Sequence, residues 1–230
     1  IDKLGQGYTD NPKSDDDYTM AAVVKHAYQT LRTLGIESAH LVGHSRGGYL
    51  TCRLTVDYPA IAKSCVIVSS NTCAPGTGGN EKAFANQPKP SLTAESQRWV
   101  LEHYSYSADC VTDEWVEALA AIAQQQSYAE AVEKMTQEGY LWTKFLPGLS
   151  TDKEEMFQIL QTRGIQRPVL QIWGYNDPTV SHAQAYDLYR ILAEKERRAR
   201  WQTLNEAGHF CYREQRKRFN EVLQSFIMNA

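Results

Sequence analysis

The stretch HLVGHSRGGYL, residues 40–50, places a G-x-S-x-G pattern between a short apolar run and a segment of helical character. Leu41 and Val42 are typical of the end of a buried strand, and the residues after Arg46 continue with helical spacing. A serine between a strand and a helix lies on a sharp turn that exposes its hydroxyl, as in a nucleophile elbow. This context predicts that Ser45 is a catalytic nucleophile, although the bare pattern also fits a serine in a glycine-rich turn.

Composition and charge exclude several classes of function. The 230 residues are 42% hydrophobic and 22% charged, with a formal net charge of −3, which suits a globular protein and not a nucleic-acid binder. The basic run at 195–200 is interpreted as the solvated end of a helix. No apolar run reaches the ~20 residues that span a bilayer. The five cysteines form no C-x-x-C pair, so we expect reduced thiols, no metal site and a cytoplasmic protein.

The order of the predicted elements is that of a parallel α/β sheet. Apolar residues at helical spacing run from Met20 to Leu34, and Gly35 closes that helix. Buried strands are predicted at 39–42, 63–68, 168–173 and 200–204, and helices between or after them at about 46–58, 181–196 and 219–227. Strands that alternate with helices in this way favour crossover connections and a parallel sheet.

The middle of the chain departs from this pattern. Residues 71–92 are rich in Gly, Pro and Asn, and the segments that follow are helical and rich in aromatic residues. Capping boxes are predicted at Ser127-x-x-Glu130 and Thr151-x-x-Glu154, and another at Ser181-x-x-Gln184 begins the helix after the third strand. We therefore predict an α/β core at 1–70 and 164–230, interrupted by a helical lid at 71–163.

Two further residues complete a candidate catalytic triad. Asp177 follows the strand at 168–173, and His209 follows the strand at 200–204, so both lie at carboxyl ends of predicted strands. Alone, Asp177 before a proline fits a turn and His209 fits a loop. In the order Ser, Asp, His they predict a nucleophile, an orienting acid and a general base. The backbone N–H of Arg46 is predicted to donate to the oxyanion hole.

These motifs resemble the α/β-hydrolase superfamily over the whole chain. Within it, DKLGQGYTDNP, WGYNDP and LEHYSYSADCVTDEWVEAL resemble the meta-cleavage-product hydrolases, which cut a C–C bond in vinylogous dioxo acids. GHSRGGYL makes the whole pattern more similar to the monoalkyl phthalate hydrolases, which are esterases. The resemblance implies an α/β-hydrolase fold, a small-molecule substrate and no cofactor, and it leaves a homodimer open.

Three departures from the C–C hydrolases favour an ester substrate. Those enzymes usually have G-N-S-M-G at the elbow, an arginine where this chain has Leu119, and a tryptophan where it has Phe210. A cation at a helix N-terminus opposes the helix dipole, which favours an Arg46 side chain that binds an anionic substrate. The alternative is that this side chain reaches solvent or a carboxylate of the protein. We predict an esterase for a small aromatic monoester with a free carboxylate, contacted by Arg46 and Phe210. The alternatives are a C–C hydrolase and a non-catalytic ligand receptor.

The resemblance also implies elements before the turn at Gly5–Gly7. The superfamily has three strands and a helix there, together with a loop that supplies the second oxyanion N–H, often marked by His-Gly. No histidine of this chain precedes a glycine. We therefore expect an N-terminally incomplete fold.

Overall fold

A computed structural model describes residues 1–76 and 86–230. In these residues four strands form one parallel sheet in the order β1-β2-β3-β4. Their bounds are Ala39–His44 (β1), Ala62–Val68 (β2), Val169–Gly174 (β3) and Arg200–Leu204 (β4). All three pairings are parallel, so the carboxyl ends of the strands lie along one edge of the sheet. The predicted parallel sheet is confirmed.

Nine α-helices occupy the described residues. They are Met20–Thr33 (α1), Arg46–Asp57 (α2), Ala94–Tyr104 (α3), Asp113–Ala123 (α4), Gln126–Thr136 (α5), Leu146–Thr162 (α6), His182–Lys195 (α7), Cys211–Glu214 (α8) and Arg216–Met228 (α9). Gly35 ends α1 as predicted: it has a φ of +70°, and Ile36 N–H donates to the Leu31 carbonyl in a Schellman pattern. None of the helices in the described ranges is long and apolar enough to span a membrane.

The strands bury side chains on both faces of the sheet. In β2, Cys65 and Ile67 face the core that contains α1, α2, α6 and α7. Val66 and Val68 face the opposite core, which α8 and α9 cover. This alternation explains why the strand sequences are continuously apolar, since both faces are excluded from water.

Only one of the three predicted capping boxes is present. Ser181 accepts from Gln184 N–H, and the Gln184 side chain returns to the Ser181 backbone, which confirms that box. The other two predictions are wrong, because Ser127 and Thr151 lie inside α5 and α6. In the interior of α6 the Thr151 hydroxyl donates back to the Pro147 carbonyl at 3.4 Å. The Ser/Thr-x-x-Glu spacing also occurs inside helices. It marks a capping box only where the serine or threonine directly precedes the first residue of the helix.

The predicted lid at 71–163 contains segments with different packing. Helices α3 and α4 pack on each other and share a small apolar cluster with Phe210. Helix α6 instead packs against α1, α2 and α7, and its Met156 and Leu160 lie in the large core. The domain boundaries at 70 and 163 stay a prediction, and part of the glycine-rich stretch, residues 77–85, lies outside the described residues.

Candidate active site

The serine turn between β1 and α2 has a strained backbone. Ser45 has φ 55° and ψ −123°, a region that costs of order 1–3 kcal/mol for a residue with a side chain. Three hydrogen bonds hold it there: Ser45 N–H donates to the Val68 carbonyl at 2.9 Å, and the Ser45 carbonyl accepts from Gly48 N–H at 2.9 Å and from Ser70 Oγ at 2.5 Å. The strand and the helix are therefore fixed at the angle that presents the hydroxyl.

Glycine at 43 permits this close crossing. A Cβ at Gly43 would lie 1.9 Å from the Gly47 carbonyl oxygen, which is backbone and has no room to move. A Cβ at Gly48 would lie 2.6 Å from the Ser70 Cβ. Both glycines allow α2 to pack directly on the ends of β1 and β2, so the pattern around Ser45 has a steric cause.

Asp177 and His209 meet at the same edge of the sheet. His209 Nδ1 lies 3.0 Å from Asp177 Oδ2, and both side chains are buried, with 5% and 0% of their surface exposed. Asp177 comes from the loop after β3, and His209 comes from the loop after β4. A Cβ at Gly174 would lie 2.0 Å from the Gly208 carbonyl oxygen, so glycine at that position lets the two loops touch.

Thr179 binds both members of this pair. Its hydroxyl donates to Asp177 Oδ1 at 2.7 Å, and its backbone N–H donates to the same oxygen at 2.8 Å. The hydroxyl oxygen also lies 3.1 Å from His209 Nδ1, from which it accepts. One carboxylate oxygen is thus held by Thr179 while the other faces the imidazole, which fixes the orientation of Asp177.

His44, next to the candidate nucleophile, contacts the backbone and the ring of His209. Its Nε2 lies 2.8 Å from the His209 carbonyl oxygen, and a carbonyl only accepts, so Nε2 carries the proton. The two imidazole rings are 4.4 Å apart. Burial, followed by the neighbouring His209, lowers the pKa of His44 from 6.5 to about 3, so this residue is neutral at physiological pH.

Ser45 is near this pair without being hydrogen-bonded to it. No hydrogen bond of the Ser45 hydroxyl occurs within the described part of the chain, although the adjacent His44 touches His209. In unliganded enzymes this bond is often long and forms with substrate. The structure brings Asp177 and His209 into contact and places Ser45 beside them, and the triad roles remain predictions.

Arg46 and Phe210 have different aromatic neighbours. Arg46 is the first residue of α2, where a backbone N–H has no acceptor within the helix, and its guanidinium stacks 4.8 Å from the centre of the Phe145 ring. Phe210 packs edge-on against Trp115 of α4 at 4.9 Å. Leu119 belongs to the same apolar cluster. The substrate contacts of Arg46 and Phe210, and the oxyanion role of Arg46 N–H, remain predictions.

A carboxylate ties the histidine loop to the segment after α3. Glu214 Oε1 accepts from Tyr106 N–H at 2.5 Å and from Ser107 N–H at 3.3 Å, and Oε2 accepts from Gly208 N–H at 2.7 Å. His209 N–H donates to the Tyr104 carbonyl at 2.7 Å. The loop that carries His209 is therefore attached directly to the helical region.

Sequence reasoning missed several of these residues. Thr179 had a local signal, because a threonine two residues after an aspartate commonly binds its carboxylate in a turn. His44 had none, since its partner His209 is distant in sequence, and the same holds for the bonds of Glu214 to Tyr106 and Ser107. Among the described residues no three His, Cys, Asp or Glu side chains are grouped so as to hold a metal ion.

A parallel sheet with a strained serine turn and a buried Asp–His pair at its carboxyl edge is the architecture of an α/β-type hydrolase. The family model of the alpha/beta hydrolase fold matches residues 1–214, and the chain belongs to that family. It is a hydrolase of the α/β-hydrolase superfamily, and the fold expected from the sequence is confirmed.

Relatives of known activity match most of the chain. A 2-hydroxymuconate semialdehyde hydrolase of Pseudomonas putida is 26% identical over 234 residues, covering 100% of this chain and 76% of that protein. A 2-hydroxy-6-oxononadienedioate/2-hydroxy-6-oxononatrienedioate hydrolase of Paraburkholderia phymatum is 26% identical over 209 residues, covering 86% and 65%. The solved structure of the meta-cleavage product hydrolase CumD of Pseudomonas fluorescens has a TM-score of 0.77 at 23% identity, covering 99% and 78%.

These relatives overturn the prediction of an ester hydrolase, because their names describe meta-cleavage product hydrolases and thus favour the alternative of C–C cleavage. The error arose from giving weight to three side chains outside the candidate triad. Leu119 and Phe210 pack together in an apolar cluster, and the Arg46 side chain stacks on Phe145. Their identities therefore carry little information about which bond breaks, since both reactions use the same nucleophile, base and acid.

Proposed function

We propose that this protein hydrolyses a C–C bond in a meta-cleavage product, a vinylogous dioxo acid formed when an aromatic ring is opened. The observation that carries the proposal is the match to 2-hydroxymuconate semialdehyde hydrolase over the whole chain, in a fold that brings Asp177 and His209 together beside Ser45. The substrate class contains a ketone or aldehyde for nucleophilic attack and a dienoate carboxylate. It also contains a conjugated system that accepts electrons.

In this reaction Ser45 attacks the carbonyl carbon while His209 Nε2 takes the hydroxyl proton. Asp177 holds the imidazole by its Nδ1–H and stabilises the cation that forms. The Arg46 backbone N–H is directed at the developing oxyanion. Before this attack the enol form of the substrate becomes the dioxo form, as its hydroxyl proton moves to the carbon next to the carbonyl. When the tetrahedral intermediate then collapses, the bond between these two carbons breaks and its electron pair enters the conjugated chain as a dienolate, which takes a proton from His209. Water, deprotonated by His209, attacks the acyl-enzyme and releases the acid.

The loops around the site are suited to protecting these intermediates. His209 is 4% exposed, and Tyr104 from α3 lies edge-on at 5.3 Å from its ring. Phe210 and Trp115 join the histidine loop to α4. Exclusion of bulk water would strengthen the interactions that stabilise the oxyanion.

The experiment is a substrate comparison on the purified protein. Wild type, Ser45→Ala and His209→Ala receive 2-hydroxymuconate semialdehyde, a neutral p-nitrophenyl ester and a monoalkyl phthalate. We expect loss of the dienoate absorbance and two acid products with wild type, and a fall in kcat of about 10³-fold or more in either variant. Circular dichroism confirms that the variants are folded.

Other results would overturn the proposal. Turnover of the esters without turnover of the dienoate would indicate a different bond specificity. Dienoate binding without product, measured by a spectral shift, would indicate a receptor.

A further inference from the structure

A small cavity lies beside the serine turn, on the side of Arg46. It has a volume of about 60 Å³ and is bounded by the N-terminal turn, the start of α1 and the helical region. Its apolar wall includes Met20, Val23 and Phe145, and its two cations are Lys3 and Arg46. Ser45, Asp177 and His209 do not line it, so it is distinct from the candidate triad, and Arg46 connects it to the serine turn.

Neither cation forms an ion pair in the described ranges, although the charge of Asp2 acts on the pKa of Lys3 in the opposite sense to that of Arg46. Arg46 forms no ion pair and no side-chain hydrogen bond there, and its guanidinium only stacks on Phe145. The Lys3 ammonium likewise forms neither. Asp17 also lines the cavity without pairing with either cation, and the neighbouring Asp2 uses its carboxylate to accept from Tyr8 N–H at 3.0 Å.

The two positive charges are close to each other and to the serine turn. Burial, followed by the charge of Arg46, lowers the pKa of Lys3. The charge of Lys3 in turn contributes to the lowered pKa of His44, on the other side of Ser45. Bringing two like charges together in a partly buried cavity is unfavourable unless an anion compensates them.

We propose that Lys3 and Arg46 form a carboxylate subsite, in which the guanidinium binds both oxygens of the anion and the ammonium binds one of them. The inference rests on the proposed function for the identity of the ligand: the carboxylate is that of the dienoate. A planar guanidinium matches a carboxylate in bidentate fashion, while an ammonium acts as a point charge. The volume suits a carboxylate group, and the apolar wall suits the hydrocarbon chain attached to it.

The subsite explains why a cation is tolerated as the first residue of α2. The helix dipole opposes a positive charge there, and a bound carboxylate cancels that charge. With the carboxylate held beside Arg46, the far end of an extended substrate is directed toward Ser45, which precedes Arg46 in the chain. Lys3 thus becomes a specificity-determining residue that no motif around the serine identifies.

The test separates this subsite from the proposed reaction by measuring binding without turnover. Calorimetry compares benzoate with its neutral analogue benzamide, in the full chain as wild type, Lys3→Met, Lys3→Arg and Arg46→Met. We expect wild type to prefer benzoate, and Lys3→Met and Arg46→Met each to weaken benzoate binding about tenfold or more while benzamide is unaffected. Lys3→Arg should retain most of the preference.

Lys13→Met is the matched control, because Lys13 is an exposed lysine of the same N-terminal segment and does not line this cavity. It should bind benzoate like wild type. If wild type does not prefer benzoate, or if Lys3→Met and Lys13→Met behave alike, the subsite is wrong even if the dienoate is hydrolysed. If benzoate binds as expected and the dienoate is not hydrolysed, the proposed reaction fails and the subsite stands.

Discussion

The hydroxyl of Thr179 donates a hydrogen bond to Asp177 Oδ1 at 2.7 Å, while Asp177 Oδ2 faces His209 at 3.0 Å. The two carboxylate oxygens thus have separate functions: one anchors the side chain and the other orients the imidazole. This division makes Thr179 a positioning residue for the candidate triad, because it acts on the reaction through Asp177 and His209.

Replacing Thr179 with valine is expected to lower kcat about tenfold and leave KM nearly unchanged. A hydrogen bond to a charged group contributes about 1.5–3 kcal/mol, and valine has the same shape without the hydroxyl. The measurement is steady-state kinetics on the dienoate over a range of pH. Thr179→Ser keeps the hydroxyl and should recover most of the activity. Equal kcat values for the valine and wild-type proteins would contradict the positioning role.

His44 is expected to make the fold sensitive to acid. Its pKa is about 3 in the folded chain and near 6.5 when unfolded, so between these values only the unfolded state binds the proton. The free energy of unfolding therefore falls as the pH drops from 6.5 toward 3, by up to about 1.4 kcal/mol per pH unit from this residue. Urea denaturation across that range should show a steeper loss for wild type than for His44→Gln. If the free energy of unfolding falls equally with pH in wild type and His44→Gln, His44 is not the source of the acid sensitivity.

Glu214 is expected to hold the histidine loop against the helical region. Glu214→Gln replaces one acceptor oxygen with an NH₂ group that faces backbone N–H donors, so the free energy of unfolding should fall by about 1–3 kcal/mol. For a chain of this size that corresponds to a Tm lower by roughly 2–12 °C. Glu194→Gln, at an exposed glutamate of α7, is the control and should leave Tm unchanged. If both variants melt like wild type, the attachment is not energetically important.

Gly43 and Gly47, on either side of Ser45, are expected to differ sharply in how well they tolerate replacement by alanine. Gly43→Ala would place a Cβ 1.9 Å from the Gly47 carbonyl oxygen, whereas a Cβ at Gly47 meets nothing within 4 Å. We expect Gly43→Ala to destabilise the fold by more than about 4 kcal/mol or to prevent folding. Gly47→Ala should be neutral or stabilising by up to about 1 kcal/mol, because alanine favours the helix. Thermal melts of both variants check this, and similar Tm values would contradict the steric argument.

Local patterns predicted the regular elements well and their ends less reliably. Gly35 at the end of α1 and Ser181 at the start of α7 were readable because the cap bonds lie within a few residues. Ser127 and Thr151 have equivalent spacing and lie inside helices. The same local spacing is therefore compatible with both outcomes, and the residue at which the helix begins distinguishes them.

By itself the sequence determined the alternation of strands and helices, and with it the edge of the sheet where Ser45, Asp177 and His209 lie. That information is local, because hydrophobic period and glycine spacing are properties of neighbouring residues. The bond from Thr179 to Asp177 is local in the same sense. Only the tertiary structure decided that His44 supports the His209 loop and that Lys3 lies beside Arg46, because these pairs join residues that are distant in sequence. Their contacts exist only because the parallel sheet brings the loops after β1, β3 and β4 to one edge and the N-terminal turn packs beside them.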